Sequence, residues 1–177
     1  WLAMKGDGEI DIDNTYIEGI VVVGGAVCCA DQAAKIFHLL DHNVPIMFVD
    51  NGGNFGANIT HGKYVADLYA ARLEEREVPS RFIKYPRDPE KRTDNTLKEA
   101  VAIGPFIRDV IPKCKSLALC SWSVHQRRAY ATFSRQNPDL MFVNQPAKVP
   151  LVPELLPRIV QEIDRLKEYG DKGDLIP

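Results

Sequence analysis

Apolar and polar residues follow two different periods along the chain, one typical of buried strands and one of amphipathic helices. Four short runs rich in Val, Ile, Leu and Phe are apolar on both faces, which predicts strands covered by helices on each side. They occupy residues 17–25, 45–53, 116–121 and 140–144. A fifth run, residues 81–85, alternates apolar and polar positions and predicts a strand nearer the sheet edge.

The segments between these runs repeat apolar residues three and four positions apart, which predicts amphipathic helices. The apolar positions are Ala33, Ile36, Phe37 and Leu40 in the first such segment, Val65, Leu68, Tyr69 and Leu73 in the second, Leu97, Ala100, Val101, Ile107 and Ile111 in the third, and Leu155, Leu156, Ile159, Val160, Ile163 and Leu166 in the last. Gly104 and Pro105 lie within the third segment and predict a kink or a division of that helix.

The order of these elements, strand followed by helix five times, predicts an α/β protein. The expected fold is a three-layer Rossmann-like sandwich with a mostly parallel five-stranded sheet. The length of 177 residues predicts a single domain over residues 1–177, with residues 1–16 as an N-terminal extension before the first strand.

Composition narrows the range of partners and locations. The net charge of −2, without a block of basic residues, argues against nucleic acid as a partner. The four cysteines form neither a CxxC motif nor a zinc-ligand spacing, so they predict reduced thiols in a cytoplasmic protein without a metal. No apolar run reaches the length of a membrane span, although the sequence leaves open an upstream anchor and the oligomeric state.

The loops that follow the strands are the candidate ligand site, because parallel α/β sheets bind ligands at the carboxyl ends of their strands. Glycines after the first strand allow backbone to approach a ligand, although the GxGxxG dinucleotide motif is absent. The loop after the second strand predicts either a cradle for an anionic group, with its aspartate on ribose hydroxyls, or a plain flexible loop. The candidate ligand-binding residues of these two loops are Gly24, Gly25, Asp50, Asn51, Gly52 and Gly53.

The loop after the fourth predicted strand places basic residues at the start of a helix. Ser123 and Gln126 have the spacing of a capping box, which predicts a helix from Val124 with His125 in its first turn. His125 and Arg128, three residues apart, share a face. Basic side chains at this end of a helix are unfavourable unless an anion lies opposite, so they predict a site for phosphate or carboxylate.

Further candidates flank this basic pair. Ser121, Ser123 and Arg127 complete the predicted ligand-binding residues of the loop, and one of the two arginines is expected to face solvent instead. The alternative is that Arg127 or Arg128 merely pairs with a surface acid. After the third strand, Thr96 and Glu99 have the spacing of a second capping box. The polar side chains of Thr93, Asn95 and Thr96 predict ligand contacts there, with plain helix capping as the alternative.

Four stretches, VVVGG, DNGG, RTDNTLKEA and SWSVHQRRAYATF, occur in an order and spacing that resembles the YdcF/SanA/ElyC family. The C-terminal stretch EIDRLKEYGDKGD is also similar, so the resemblance extends over nearly the whole chain from about residue 17. It implies a Rossmann-like fold whose loops face one pocket. Members of the family are associated with bacterial envelope maintenance or with binding S-adenosylmethionine.

These observations together predict binding of an anionic, nucleotide-type small molecule, with S-adenosylmethionine as the named candidate. A transferase or hydrolase acting on a phosphate or activated group would use His125 as a proton carrier and Arg128 to hold charge. Two alternatives stay open at this point. One is a non-catalytic module that senses a metabolite, and the other is an envelope-biogenesis factor acting on a lipid-linked phosphate.

Overall fold

Strands and helices alternate along the part of the chain that the structure, a computed structural model, describes: residues 16–24, 26–40, 43–50, 65–86, 93–148 and 156–173. The strands there are β1 (Gly19–Val22), β2 (Ile46–Met47), β3 (Ile83–Lys84), β4 (Ser116–Cys120) and β5 (Met141–Asn144). The helices are α1 (Val27–Leu39), α2 (Val65–Glu75), α3 (Thr96–Val110), α4 (Gln126–Gln136) and α5 (Leu156–Asp171), and a 3-10 turn (Ser80–Phe82) precedes β3.

The strands form one parallel sheet in the order β3-β2-β1-β4-β5, which confirms the predicted parallel α/β sheet. At its centre Ile20 of β1 pairs with Ile46 of β2 and with Ala118 of β4. Strands β1, β2 and β3 lie side by side in chain order. The chain then crosses back to β4, which pairs with the other edge of β1. The strand order therefore reverses between β1 and β4, where such sheets open a crevice at their carboxyl edge.

Alternate residues of β1 pack into two separate cores, one on each face of the sheet. Ile20 and Val22 join buried side chains of α1 and α2. Val21 and Val23 join buried side chains of α3 and α4. Because a strand directs successive side chains to opposite faces, this division confirms the predicted three-layer sandwich.

The strands are shorter than the apolar runs that predict them. β1 ends at Val22, and Gly24 just beyond it has a positive φ of 98°, which turns the chain out of the extended conformation. β2 spans Ile46–Met47 although Phe48 and Val49 beyond it are also buried. At the third strand, Arg81 and Phe82 belong to the 3-10 turn rather than to β3.

Helix α3 continues through Gly104 and Pro105, so of the two predicted outcomes the division of the helix is wrong. Gly104 packs tightly against Asn137, beyond the end of α4, and has no room for a Cβ atom. The Asn137 Nδ2 in turn donates to the carbonyl of Ala100, 2.9 Å away. The glycine thus serves close packing between two helices, and the proline is accommodated inside one continuous helix.

Helix α5 does not bury the apolar stripe that the sequence predicts. Leu156, Val160 and Ile163 are 60%, 57% and 42% exposed, whereas Glu162 is only 4% exposed. Leu155 lies outside the described residues. Ile159 and Leu166, which share a face with Glu162, are partly buried, so the carboxylate and this part of the stripe face the rest of the fold. Among the described residues, no helix combines the length and apolar character needed to cross a bilayer.

Candidate functional site

Arg128 of α4 and Glu162 of α5 form a buried ion pair beside the carboxyl edge of the sheet. The Arg128 Nε donates to Glu162 Oε2 at 2.7 Å, and its Nη2 donates to Oε1 at 3.0 Å. Both residues are at most 5% exposed. The sequence predicts an external anion opposite Arg128, but in the structure a carboxylate of the same chain balances its charge through a bidentate contact.

His125 contacts both members of this pair. The contact with Arg128 confirms the prediction that the two basic residues share a face. Its Nδ1 is 2.9 Å from Arg128 Nη2 and 3.2 Å from Glu162 Oε2, and its Nε2 is 3.2 Å from the hydroxyl of Thr96. Because a guanidinium can only donate, the short contact favours Nδ1 as acceptor and the proton on Nε2. Burial and the positive charge of Arg128 lower the pKa of His125, which is therefore neutral near pH 7.

Thr96 supplies the third contact of the cluster. Its Oγ1 accepts a hydrogen bond from Arg128 Nη1 at 2.9 Å in addition to its contact with His125. Thr96 is not the N-cap of α3, as the second predicted capping box required. Asn95 is the N-cap, and its side chain accepts from the amide of Lys98 at 3.0 Å. With the capping role taken by Asn95, the Thr96 hydroxyl is directed towards α4.

Glu162 carries the negative charge of the cluster. Burial alone would raise its pKa, but the hydrogen bonds and positive charge of Arg128 outweigh burial and hold the pKa well below its usual range. Arg165 makes a further, half-buried contact with Oε1 at 3.3 Å. The Tyr169 ring, also on α5, lies 5.6 Å from the Arg128 guanidinium carbon. The cluster thus joins α3, α4 and α5.

The capping box predicted from Ser123 and Gln126 does not form. Helix α4 begins at Gln126, with His125 as an N-cap that makes no side-chain capping bond. The Gln126 side chain instead accepts from the amide of Ser121 at 2.9 Å and donates to the carbonyl of Leu119 at 3.0 Å. The glutamine therefore satisfies backbone groups at the end of β4, which local sequence spacing does not reveal.

The end of β1 meets the end of β4 beside this cluster. A Cβ atom on Gly24 would lie 3.1 Å from His125 Cδ2 and 3.3 Å from Ser121 Oγ. Ser121 is fully buried, and its hydroxyl has no hydrogen-bond partner within the described residues. Ala26, the N-cap of α1, provides no side-chain cap. The Ser121 hydroxyl thus lies next to Gly24, two residues before the N-cap of α1.

Among the remaining predicted residues that the structure describes, Asp50 and Thr93 contact each other. Asp50 is buried; its Oδ1 accepts from the amide of Ala66 at 3.2 Å, and its carbonyl accepts from the Thr93 amide and hydroxyl at 2.9 and 3.0 Å. These contacts give Asp50 and Thr93 a role in joining loops. Arg127 is exposed, the position expected for one of the two arginines, and Ser123 is partly buried. The predicted residues Gly25, Asn51, Gly52 and Gly53 lie outside the described residues.

Glu162 is the member of the cluster that the sequence did not single out as a site residue. A signal for it exists, because Glu162 follows Ile159 by three positions and precedes Leu166 by four. It therefore lies within the predicted apolar stripe of the last helix. A single carboxylate on such a face indicates a buried charge that needs a basic partner.

Neither a protein-family model nor a curated protein matches this sequence. The resemblance to the YdcF/SanA/ElyC family therefore stays a prediction.

Proposed function

We propose that the chain binds an anionic, nucleotide-type small molecule in the crevice between the carboxyl ends of β1 and β4. The reversal of strand order between these strands supports this location, because parallel α/β sheets take their ligands there. S-adenosylmethionine is also to be tested, because it presents an adenosine and a carboxylate although its sulfonium and ammonium groups make it cationic overall.

The observation that carries the proposal is the buried Ser121 hydroxyl, which has no partner in the described part of the chain and lies next to Gly24, two residues before Ala26, the N-cap of α1. The first amides of a helix have no acceptor within the helix, and they carry a partial positive charge that attracts anions. A buried hydroxyl without a partner is costly to the folded state. An anionic ligand group that accepts from both would remove this cost, and the positive φ of Gly24 lets the backbone turn tightly between them.

The surroundings of His125 favour a binding module over a transferase or hydrolase. Each ring nitrogen already has a partner of this chain within 3.2 Å. A general acid or base needs a ring nitrogen within reach of the substrate. His125 is better suited to fixing the position of Arg128 and of the backbone around Gly24 than to carrying a proton.

Two serine variants test the proposal by isothermal titration calorimetry with ATP, GTP, S-adenosylmethionine and a polyprenyl diphosphate. We expect a nucleotide-type ligand to bind, and Ser121→Ala to weaken that binding by about tenfold, the typical effect of one hydrogen bond to a charged group. Ser116→Ala is the matched control. Ser116 Oγ is also buried without a partner in the described residues, but it lies at the opposite end of β4.

The outcomes separate the candidate functions. Lack of binding by all four compounds, or equal binding by the Ser121→Ala variant, would overturn the proposal. Preferential binding of the polyprenyl diphosphate would favour action on a lipid-linked phosphate. Conversion of a bound nucleotide, followed by phosphorus NMR and lost in His125→Gln, would favour an enzyme over a binding module.

A further inference from the structure

We propose that His125 and Arg128 form an anion seat that Glu162 occupies from α5, so that α5 acts as an intramolecular competitor for an anionic ligand group. The anion seat is defined here as the guanidinium face of Arg128 that contacts Glu162, together with the His125 ring that orients it. This inference rests on the proposed function, since it concerns regulation of the neighbouring ligand crevice.

The guanidinium of Arg128 is held in place by groups other than Glu162. Its Nη1 donates to Thr96 Oγ1 at 2.9 Å, and its Nη2 is 2.9 Å from His125 Nδ1. The two contacts fix the plane of the guanidinium, so that the N–H groups of Nε and Nη2 point side by side and can donate to two oxygens of one anion. A pair of donors arranged in this way recognises carboxylate and phosphate equally well. The seat is therefore preorganised for an anion, and Glu162 fills it.

Within the described residues, Glu162 is the most deeply buried contact of helix α5, with Ile159 and Leu166 partly buried beside it. Among its described side chains Glu162 alone is buried, while Leu156, Val160 and Ile163 are substantially exposed. The Tyr169 ring adds one contact to the same guanidinium. A helix whose most deeply buried contact is an ion pair can be displaced by another anion, because the competing anion replaces that interaction.

The anion seat borders the proposed ligand crevice. Gly24 at the end of β1 lies against the His125 ring edge, with 3.1 Å from an ideal Cβ position to His125 Cδ2. The ring therefore separates the crevice from Arg128. Displacement of Glu162 would expose a second cationic group next to the helix N-terminus of α1, where a further phosphate or carboxylate of the same ligand could bind.

The test is the binding of inorganic pyrophosphate to the full chain, measured by calorimetry. We expect Glu162→Gln to bind it at least about tenfold more tightly than the original chain, because the competing charge is gone while the shape is kept. Glu168→Gln is the matched control, since Glu168 lies on the same helix and pairs with Lys172 at the surface. It should leave pyrophosphate binding unchanged, and adding Arg128→Gln to Glu162→Gln should abolish the gain.

A second variant and a second readout cover the case in which Glu162→Gln does not fold. Tyr169→Leu removes the ring contact with Arg128 but keeps all charges, and it should also tighten pyrophosphate binding. Hydrogen exchange over residues 156–171 of the unaltered chain should accelerate when pyrophosphate is added. Unchanged affinity in the folded variants together with unchanged exchange would overturn the competitor role.

The same measurements distinguish the competitor role from the proposed function. Nucleotide binding that depends on Ser121 but not on Glu162 or Tyr169 would overturn the competitor role alone. Gain of pyrophosphate binding in Glu162→Gln, without nucleotide binding by any form, would overturn the nucleotide proposal and support the anion seat.

Discussion

Arg128 and Glu162 link α4 to α5 through two hydrogen bonds of 2.7 and 3.0 Å, in an environment where neither residue is more than 5% exposed. Such a pair contributes modestly as a unit, because both charges lose their hydration. Either charge left alone in the same place is strongly unfavourable. Single and double replacements of the pair should therefore differ sharply in stability.

Replacing one member of the pair should cost much more stability than replacing both. We expect Arg128→Met to lower the free energy of unfolding by about 3–5 kcal/mol, since Glu162 is then buried without a counter-charge. Adding Glu162→Met should restore most of this loss. Urea denaturation of the two single variants and the double variant measures the coupling directly.

The surface pair Glu168–Lys172 on α5 is the control for this cycle, with side chains more than half exposed. Solvent screens such pairs, so Glu168→Met should leave the unfolding midpoint unchanged. Additive losses in the Arg128 and Glu162 variants would show that the buried pair is not coupled as the structure describes.

Stability should fall on mild acidification because of His125. Its pKa is lower in the folded chain than the ordinary value of 6.5, so below about pH 6.5 the unfolded chain binds a proton that the folded chain does not. Stability is thus present above that pH and is lost as pH falls towards the folded pKa, with a slope of up to about 1.4 kcal/mol per pH unit. Thermal or urea unfolding between about pH 7 and about pH 5 measures this slope.

His125→Gln should flatten the profile over this range, because the variant lacks the buried imidazole whose pKa folding lowers. His38→Gln is the control at an exposed histidine, which contacts the carbonyl of Arg76 and the Phe37 ring, and it should keep the slope assigned to His125. At lower pH, below about 4.5, Glu162 should add a second loss, because its depressed pKa makes the folded state resist protonation. A profile in His125→Gln identical to that of the original chain would contradict the assignment.

The general plan of the fold follows from the sequence because it depends on periodicity. Runs such as residues 116–121 are apolar on both faces, which only a strand covered by helices can bury, and the structure has β4 there at the centre of a parallel sheet. Both predicted capping boxes are wrong, because the side chains concerned bond outside their own helices. The Gln126 side chain donates to the Leu119 carbonyl in β4, and the Thr96 hydroxyl accepts from Arg128 on α4. Residue spacing within a helix carries no information on such contacts.

The basic pair shows how far the sequence predicts the candidate site. Three-residue spacing correctly placed His125 and Arg128 on one face, and the unfavourable helix dipole correctly indicated a nearby anion. The sequence did not reveal that the anion is Glu162, which lies 34 residues further along the chain. The three-dimensional approach of α5 to α4 determines this pairing.

Gly24 should be intolerant of substitution for two separable reasons. Its φ of 98° is strained for any residue with a Cβ atom, at a cost of about 1–2 kcal/mol. A Cβ would also lie 3.1 Å from His125 Cδ2, closer than ordinary contact. Gly173 has a comparable φ of 72° with no atom within 4 Å of the Cβ position, so Gly173→Ala measures strain alone.

We therefore expect Gly24→Ala to lower the unfolding midpoint more than Gly173→Ala does. The difference reports the contact with His125. Gly24→Ala combined with His125→Ala should cost less than the sum of the two single changes, since the smaller side chain relieves the close approach. Equal effects of the two glycine variants would indicate that Gly24 does not pack against the histidine.

Thr96 should contribute through its hydroxyl and not through capping. Thr96→Val keeps the shape but leaves Arg128 Nη1 and His125 Nε2 without their acceptor, which should cost about 1–3 kcal/mol. Thr96→Ser retains the oxygen and should recover most of the loss.

Asn95→Ala removes the N-cap of α3 and should cost about 1 kcal/mol, without altering the pH dependence assigned to His125. Thr96→Val should alter that dependence, because the imidazole loses the acceptor that fixes its Nε2 proton. If the valine and serine variants unfold at the same urea concentration, the hydroxyl does not hold Arg128 and His125 in the folded state.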